Sequence, residues 1–176
     1  MGHGENKQPY SGSITELSGA TELFVKQTNS IIDHYKKVYR PEKMVLIGHS
    51  MATDIIVRTA LERSDIFSVI GISTYTDAIT AKKPNNILIL NGEWEPQLKL
   101  KAYDILTKIG IARPEENITY GSFNDGSARK ISTIINADHV GILFSERTQI
   151  AIGDWLNEIF KSKIISKTNK MGIWIV

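Results

Sequence analysis

Apolar residues fall along this chain in two patterns that take turns: helical spacing and short unbroken runs. From Ser13 to Val38, Ala20, Leu23, Ile31, Tyr35 and Val38 recur at intervals of three and four, with polar Gln27 among them. This predicts an amphipathic helix. Ser13 and Glu16 have the S-x-x-E form of a capping box, and Arg40-Pro41 ends the helix, because the residue before proline is pushed out of the α region. Lys43 to Ile47 then reads as a short strand that breaks at Gly48 and passes into a helical pattern carrying Ile55, Ile56, Thr59 and Ala60. Phe67 to Ser73 and Asn86 to Leu90 are the second and third strands. Pro96 opens a helix with Leu98, Ala102, Ile105, Leu106 and Ile109, and Gly110 stops it. Ile118 to Phe123 is a candidate edge strand and Ala128 to Ile135 a fourth core strand. Arg147 to Phe160, with Ile150, Ile152, Trp155, Leu156 and Ile159, is a last amphipathic helix.

Continuous apolar strands are the form expected when both faces of a sheet are covered. Their alternation with helices predicts an α/β fold, a mainly parallel sheet with flanking helices. One domain accounts for residues 1–162, which leaves 163–176 as a tail.

Composition narrows the function classes. The chain has 176 residues, 41% hydrophobic and 23% charged, the make-up of an ordinary globular domain. A net charge of +2 and the lack of a basic stripe interleaved with aromatics argue against nucleic acid. There is no cysteine, which removes thiolate catalysis and zinc–thiolate sites and fits a reducing compartment. Residues 1–10 are polar, with no secretory h-region. At the C-terminal end, Lys161, Lys163, Lys167 and Lys170 precede the apolar Met171-Gly-Ile-Trp-Ile-Val176. Lysine beside an apolar start with an early Trp suits a juxtamembrane flank. The expectation is a cytoplasmic protein, or one at the cytoplasmic face of a membrane, whose tail leads into a membrane segment; the plainer reading is a frayed end.

The candidate chemistry begins at Met44-Val-Leu-Ile-Gly48-His49-Ser50-Met51-Ala52, where a strand runs through G-x-S-x-small into a helix. This is the setting of a nucleophile elbow. Gly48 and Ala52 are small where strand and helix backbones nearly touch, and the turn lifts the serine hydroxyl toward a helix N-terminus, which favours an oxyanion. Met51 would give one oxyanion N–H. The same residues also suit a plain strand-to-helix turn with Ser50 as N-cap. A serine nucleophile needs a base, and the base an acid. In that order along the chain stand Ser50, Glu95 in Leu90-Asn-Gly-Glu-Trp-Glu95, and His139 in Ala137-Asp-His139, the latter two in loops after predicted strands.

With Gly2-His3-Gly4 added, these pieces resemble the α/β-hydrolase family of esterases and lipases over Gly2 to about Phe160. The resemblance implies a partial α/β-hydrolase fold, the C-terminal half of the domain, with early strands and the second oxyanion donor missing. It implies little or no cap, because only Thr74 to Asn85 join the second and third strands, where the family inserts its lid. It also implies Ser50 as nucleophile, His139 as base and Glu95 as acid, acting on a small-molecule acyl substrate without a cofactor. Ala52 stands where glycine is commoner, and Glu95 where aspartate is.

Alternatives remain open at this level. Glu93 could be the acid if the loop register slips, and Asp77, after the second strand, ranks behind Glu95. His49 reads as a packing residue beside the nucleophile or as one that supports the site from behind it, and His34 as a surface histidine. Four histidines without spaced carboxylates make no metal site. The second functional reading is a non-catalytic half-hydrolase, or a module that needs a partner chain to complete its sheet.

Overall fold

In a computed structural model, residues 17–161 are described; the candidate capping box, Gly2-His3-Gly4 and the tail lie outside them. The chain divides into two compact units with the boundary after Pro41. The first holds helix α1, Leu17–Tyr39. Of its apolar stripe, Ile31, Tyr35 and Val38 are each more than half exposed.

The second unit is built on β1 (Met44–His49), α2 (Met51–Glu62), β2 (Ile66–Ile72), β3 (Ile87–Gly92), α3 (Pro96–Lys108), β4 (Arg129–Ile134), a short 3-10 turn over Gly141–Phe144, and α4 (Glu146–Phe160). The four strands form one sheet in the order β1-β2-β3-β4, with every neighbouring pair parallel. The class is α/β. Residues 73–86, which join β2 to β3, contain no helix or strand, so nothing cap-like is inserted there.

Side chains alternate between sheet faces, and parallel partners share a face. Gly48, Gly71, Ile89 and Ile131 are register neighbours. Their face meets α2, since a Cβ on Gly48 would lie 2.9 Å from Ile56 Cδ1. On the opposite face Ile70, Ile72, Leu88, Leu90 and Ile134 form a buried cluster with Trp155 and Ile159 of α4. The Trp155 indole N–H donates to Ser68 Oγ of β2 at 2.9 Å and so keeps its polar edge satisfied inside that cluster. Burying each such Leu, Ile or Trp contributes on the order of 1.5–3 kcal/mol. With helices on both sides, β2 and β3 are covered almost completely, whereas among the described residues β1 has a strand neighbour on one side only, and Ile47 is 49% exposed.

One expected element does not form. Ile118 to Phe123 makes a single antiparallel bridge, Tyr120 to Arg129, instead of an edge strand. Gly121 takes φ +81° and Asn117 φ +65°, so the backbone leaves the extended region on both sides of Tyr120. A Cβ on Gly121 would also stand 2.3 Å from Ser127 O, inside the turn that returns the chain to β4.

Candidate functional site

The carboxyl ends of β1, β3 and β4 bring three side chains together, all within the second unit. His139 Nε2 lies 2.9 Å from Ser50 Oγ, and His139 Nδ1 lies 2.6 Å from Glu95 Oε1.

Ser50 joins β1 to α2 at φ +55°, ψ −124°. That region is costly for a residue with a side chain, roughly 1–3 kcal/mol, and persists only where the surroundings hold it. Here the Ser50 N–H donates to Ile72 O of β2 at 2.9 Å, and the Ser50 carbonyl accepts Thr53 N–H at 2.9 Å and Thr53 Oγ1–H at 2.6 Å. Thr53 Oγ1 in turn accepts the Tyr75 N–H at 2.8 Å, which ties the loop after β2 to the same turn. The close approach of strand and helix is real: a Cβ on Gly48 would be 2.9 Å from Ala52 O. Met51 is the first residue of α2, so its N–H has no acceptor within the helix.

Glu95 owes its position to a local fold-back. Its Oε2 accepts the Gly92 N–H at 2.6 Å, which is the physical content of the G-x-x-acid spacing. Oε2 also accepts Ser73 Oγ–H at 2.9 Å, and only 7% of the residue is exposed. Both carboxylate oxygens are thus engaged as acceptors. Because Oε1 accepts from His139, the imidazole proton sits on Nδ1 and the Nε2 lone pair faces the serine hydroxyl.

The His139 loop is pinned from several directions. Asn136 holds φ +58°, its N–H donates to Glu93 Oε2 at 2.8 Å, and Trp94 N–H donates to Ala137 O at 3.1 Å. Asp138 turns away from the site and accepts the N–H groups of Val140 at 3.0 Å and Gly141 at 2.5 Å. These backbone donors, Gly141 first, hold its carboxyl below the usual aspartate range.

The competing acids stand elsewhere. Asp77 is exposed and pairs with Lys101 Nζ at 2.9 Å, a hydrogen bond that lowers its pKa. Glu93 serves the loop backbone of Asn136. His49, expected either to pack beside the nucleophile or to support the site, bonds through Nε2 to the His139 carbonyl at 2.7 Å, its ring 4.8 Å from the His139 ring. Sequence reasoning missed Ser73. A serine one residue past a strand carries no signal by itself, and only the β2–β3 pairing sets it beside Glu95. Among the described residues no group of three or more His, Asp or Glu side chains could hold a metal ion.

Met51, Tyr75, Trp94 and Val140 are all about half exposed or more. Three of them are chain neighbours of Ser50, Glu95 and His139, and Tyr75 is tied to the Ser50 turn through Thr53. Exposed apolar side chains therefore adjoin Ser50, Glu95 and His139 in the chain. Comparison of the chain with protein-family models, with curated proteins and with solved structures finds no match.

Proposed function

We propose that the chain is a serine hydrolase of the α/β-hydrolase type, acting on an ester, thioester or amide through an acyl-enzyme on Ser50. One observation carries this reading: a serine at positive φ between strand and helix, in hydrogen-bond reach of a histidine whose far nitrogen is held by a buried carboxylate. A plain N-cap accounts for neither the backbone strain nor the histidine, and Ser50 makes no side-chain cap bond.

In the proposed reaction Ser50 Oγ attacks the substrate carbonyl while its proton passes to His139 Nε2. Glu95 keeps the other proton on Nδ1 and stabilises the imidazolium. The carbonyl oxygen becomes an oxyanion and takes a hydrogen bond from Met51 N–H at the positive end of α2. The leaving group departs with the proton from Nε2. Water then repeats the sequence on the acyl-enzyme and frees the acid. The exposed apolar residues next to Ser50, Glu95 and His139 in the chain support an apolar acyl group. The lysine-bearing tail supports a place in the cytoplasm or at the cytoplasmic face of a membrane.

Labelling of the full chain with a fluorophosphonate probe tests the reading. Ser50 is expected to be the one serine labelled, with labelling lost in Ser50→Ala and slowed by orders of magnitude in His139→Ala. Labelling that survives Ser50→Ala would overturn it.

One observation favours the second reading, a module completed by another strand: among the described residues β1 ends the sheet, with Ile47 half exposed on it. The two readings are compatible if the added strand leaves the site open.

A further inference from the structure

The two histidines of the site differ in which nitrogen carries the proton, and the second has a task of its own. His49 is the last residue of β1, directly before Ser50. Its Nε2 lies 2.7 Å from the His139 backbone carbonyl. A carbonyl can only accept, so the proton is on His49 Nε2, whereas His139 carries its proton on Nδ1 toward Glu95. The other bonds of the histidine loop run to the loop after β3 or within the loop itself: Trp94 N–H to Ala137 O, Asn136 N–H to Glu93, and Val140 and Gly141 N–H to Asp138. Apart from the Ser50–His139 bond, the His49 bond is the link among the described hydrogen bonds that joins the elbow strand to this loop.

We infer that His49 is a positioning residue that fixes the distance between Ser50 and His139 by anchoring the His139 carbonyl to β1. The inference rests on the serine hydrolase reading. Its physical basis is that the reacting 2.9 Å contact must loosen and re-form as the proton moves, so it cannot serve as its own anchor. Carbonyl and ring belong to one residue, and a donor from the strand that carries the nucleophile registers the base against the nucleophile itself. A misplacement of about 1 Å in such a pair costs on the order of 100-fold in rate.

Two substitutions separate the donor from the ring. His49→Phe keeps an aromatic ring without a donor; His49→Gln keeps a donor without the ring. In the full chain, turnover of a p-nitrophenyl ester is expected to fall about 10-fold or more in kcat for His49→Phe with KM nearly unchanged, because positioning acts on the transition state. His49→Gln is expected to recover most of that loss. Amide hydrogen exchange over residues 138–142 reads the anchor without chemistry: it should quicken in His49→Phe and stay near wild type in His49→Gln. Wild-type kcat in His49→Phe, or equal losses in both variants, would overturn the inference. If the wild-type chain turns over no ester and takes no fluorophosphonate, the hydrolase reading falls, and unchanged exchange in His49→Phe then overturns the anchor as well.

Discussion

Two carboxylates stand two residues apart in the loop after β3, and their surroundings give them different tasks. Glu93 accepts a backbone N–H from Asn136, whereas Glu95 bonds the His139 ring. Replacing Glu95 by Gln tests that division. In Glu95→Gln the oxygen that accepts from Gly92 and Ser73 can be kept, which turns the amide NH2 toward His139. A donor facing Nδ1 drives the ring proton to Nε2, the tautomer that cannot take the serine proton. Turnover is expected to fall by roughly 10⁴-fold with the fold intact, while Asp77→Asn, at an exposed Lys101 pair, leaves it unchanged. Circular dichroism and ester turnover check both. A slow Asp77→Asn beside an active Glu95→Gln would move the acid to Asp77.

At the scale of elements, turns govern the site. A Cβ on Gly92 would meet Ala137 O at 2.4 Å and Glu95 Oε2 at 3.0 Å. Gly92→Ala is therefore expected to push the β3 and β4 loops apart and to lower activity well before it unfolds the sheet; steady-state kinetics beside a thermal melt separates the two. Asp138 secures the turn after His139, and its carboxyl is held below the ordinary range by the Gly141 and Val140 amides. A lowered folded pKa means that the ionised form is favoured in the folded state. Its stabilisation is complete above the unfolded value and is lost as pH falls through the folded one. Amide exchange at Val140 and Gly141 is accordingly expected to quicken below the ordinary aspartate range, and in Asp138→Ala at every pH. The same scale shows why one element was misread. Apolar and aromatic residues over 118–123 have strand-like propensity, but positive φ at Asn117 and Gly121 leaves one bridge.

For the molecule as a whole, two exposed apolar features make predictions. The exposed apolar neighbours of Ser50, Glu95 and His139 predict that ester turnover rises with acyl chain length. Full burial of a methylene is worth about 0.8 kcal/mol, or about fourfold, and half-burial in an open site about twofold. A p-nitrophenyl series from acetate to octanoate measures it, and Trp94→Ser is expected to flatten the slope. Ile47 on the edge strand predicts concentration-dependent association. Ile47→Lys is expected to reduce it without altering the melt, as read by light scattering; equal association in the variant would place the contact elsewhere.

The periodicity of the sequence by itself determined the class and every strand of the sheet to within about two residues, because strands covered on both faces, as β2 and β3 are, must be apolar nearly throughout and the helical patterns bound the rest. The elbow string, with its small neighbours, marked Ser50, which is a local demand; the chain order of serine, acid and histidine and the motif resemblance pointed to His139 and ranked Glu95 ahead of Glu93 and Asp77. What only the tertiary structure decided is what lies across the sheet. Parallel pairing of β2 with β3 set Ser73 beside Glu95, and the loop after β4 set the His139 carbonyl against His49. Those partners are far apart in the chain, and a hydrogen bond between distant residues leaves no periodic trace. The choice among Asp77, Glu93 and Glu95 was of the same kind: three carboxylates follow strands, and which of them meets the imidazole is settled by the distances between loops.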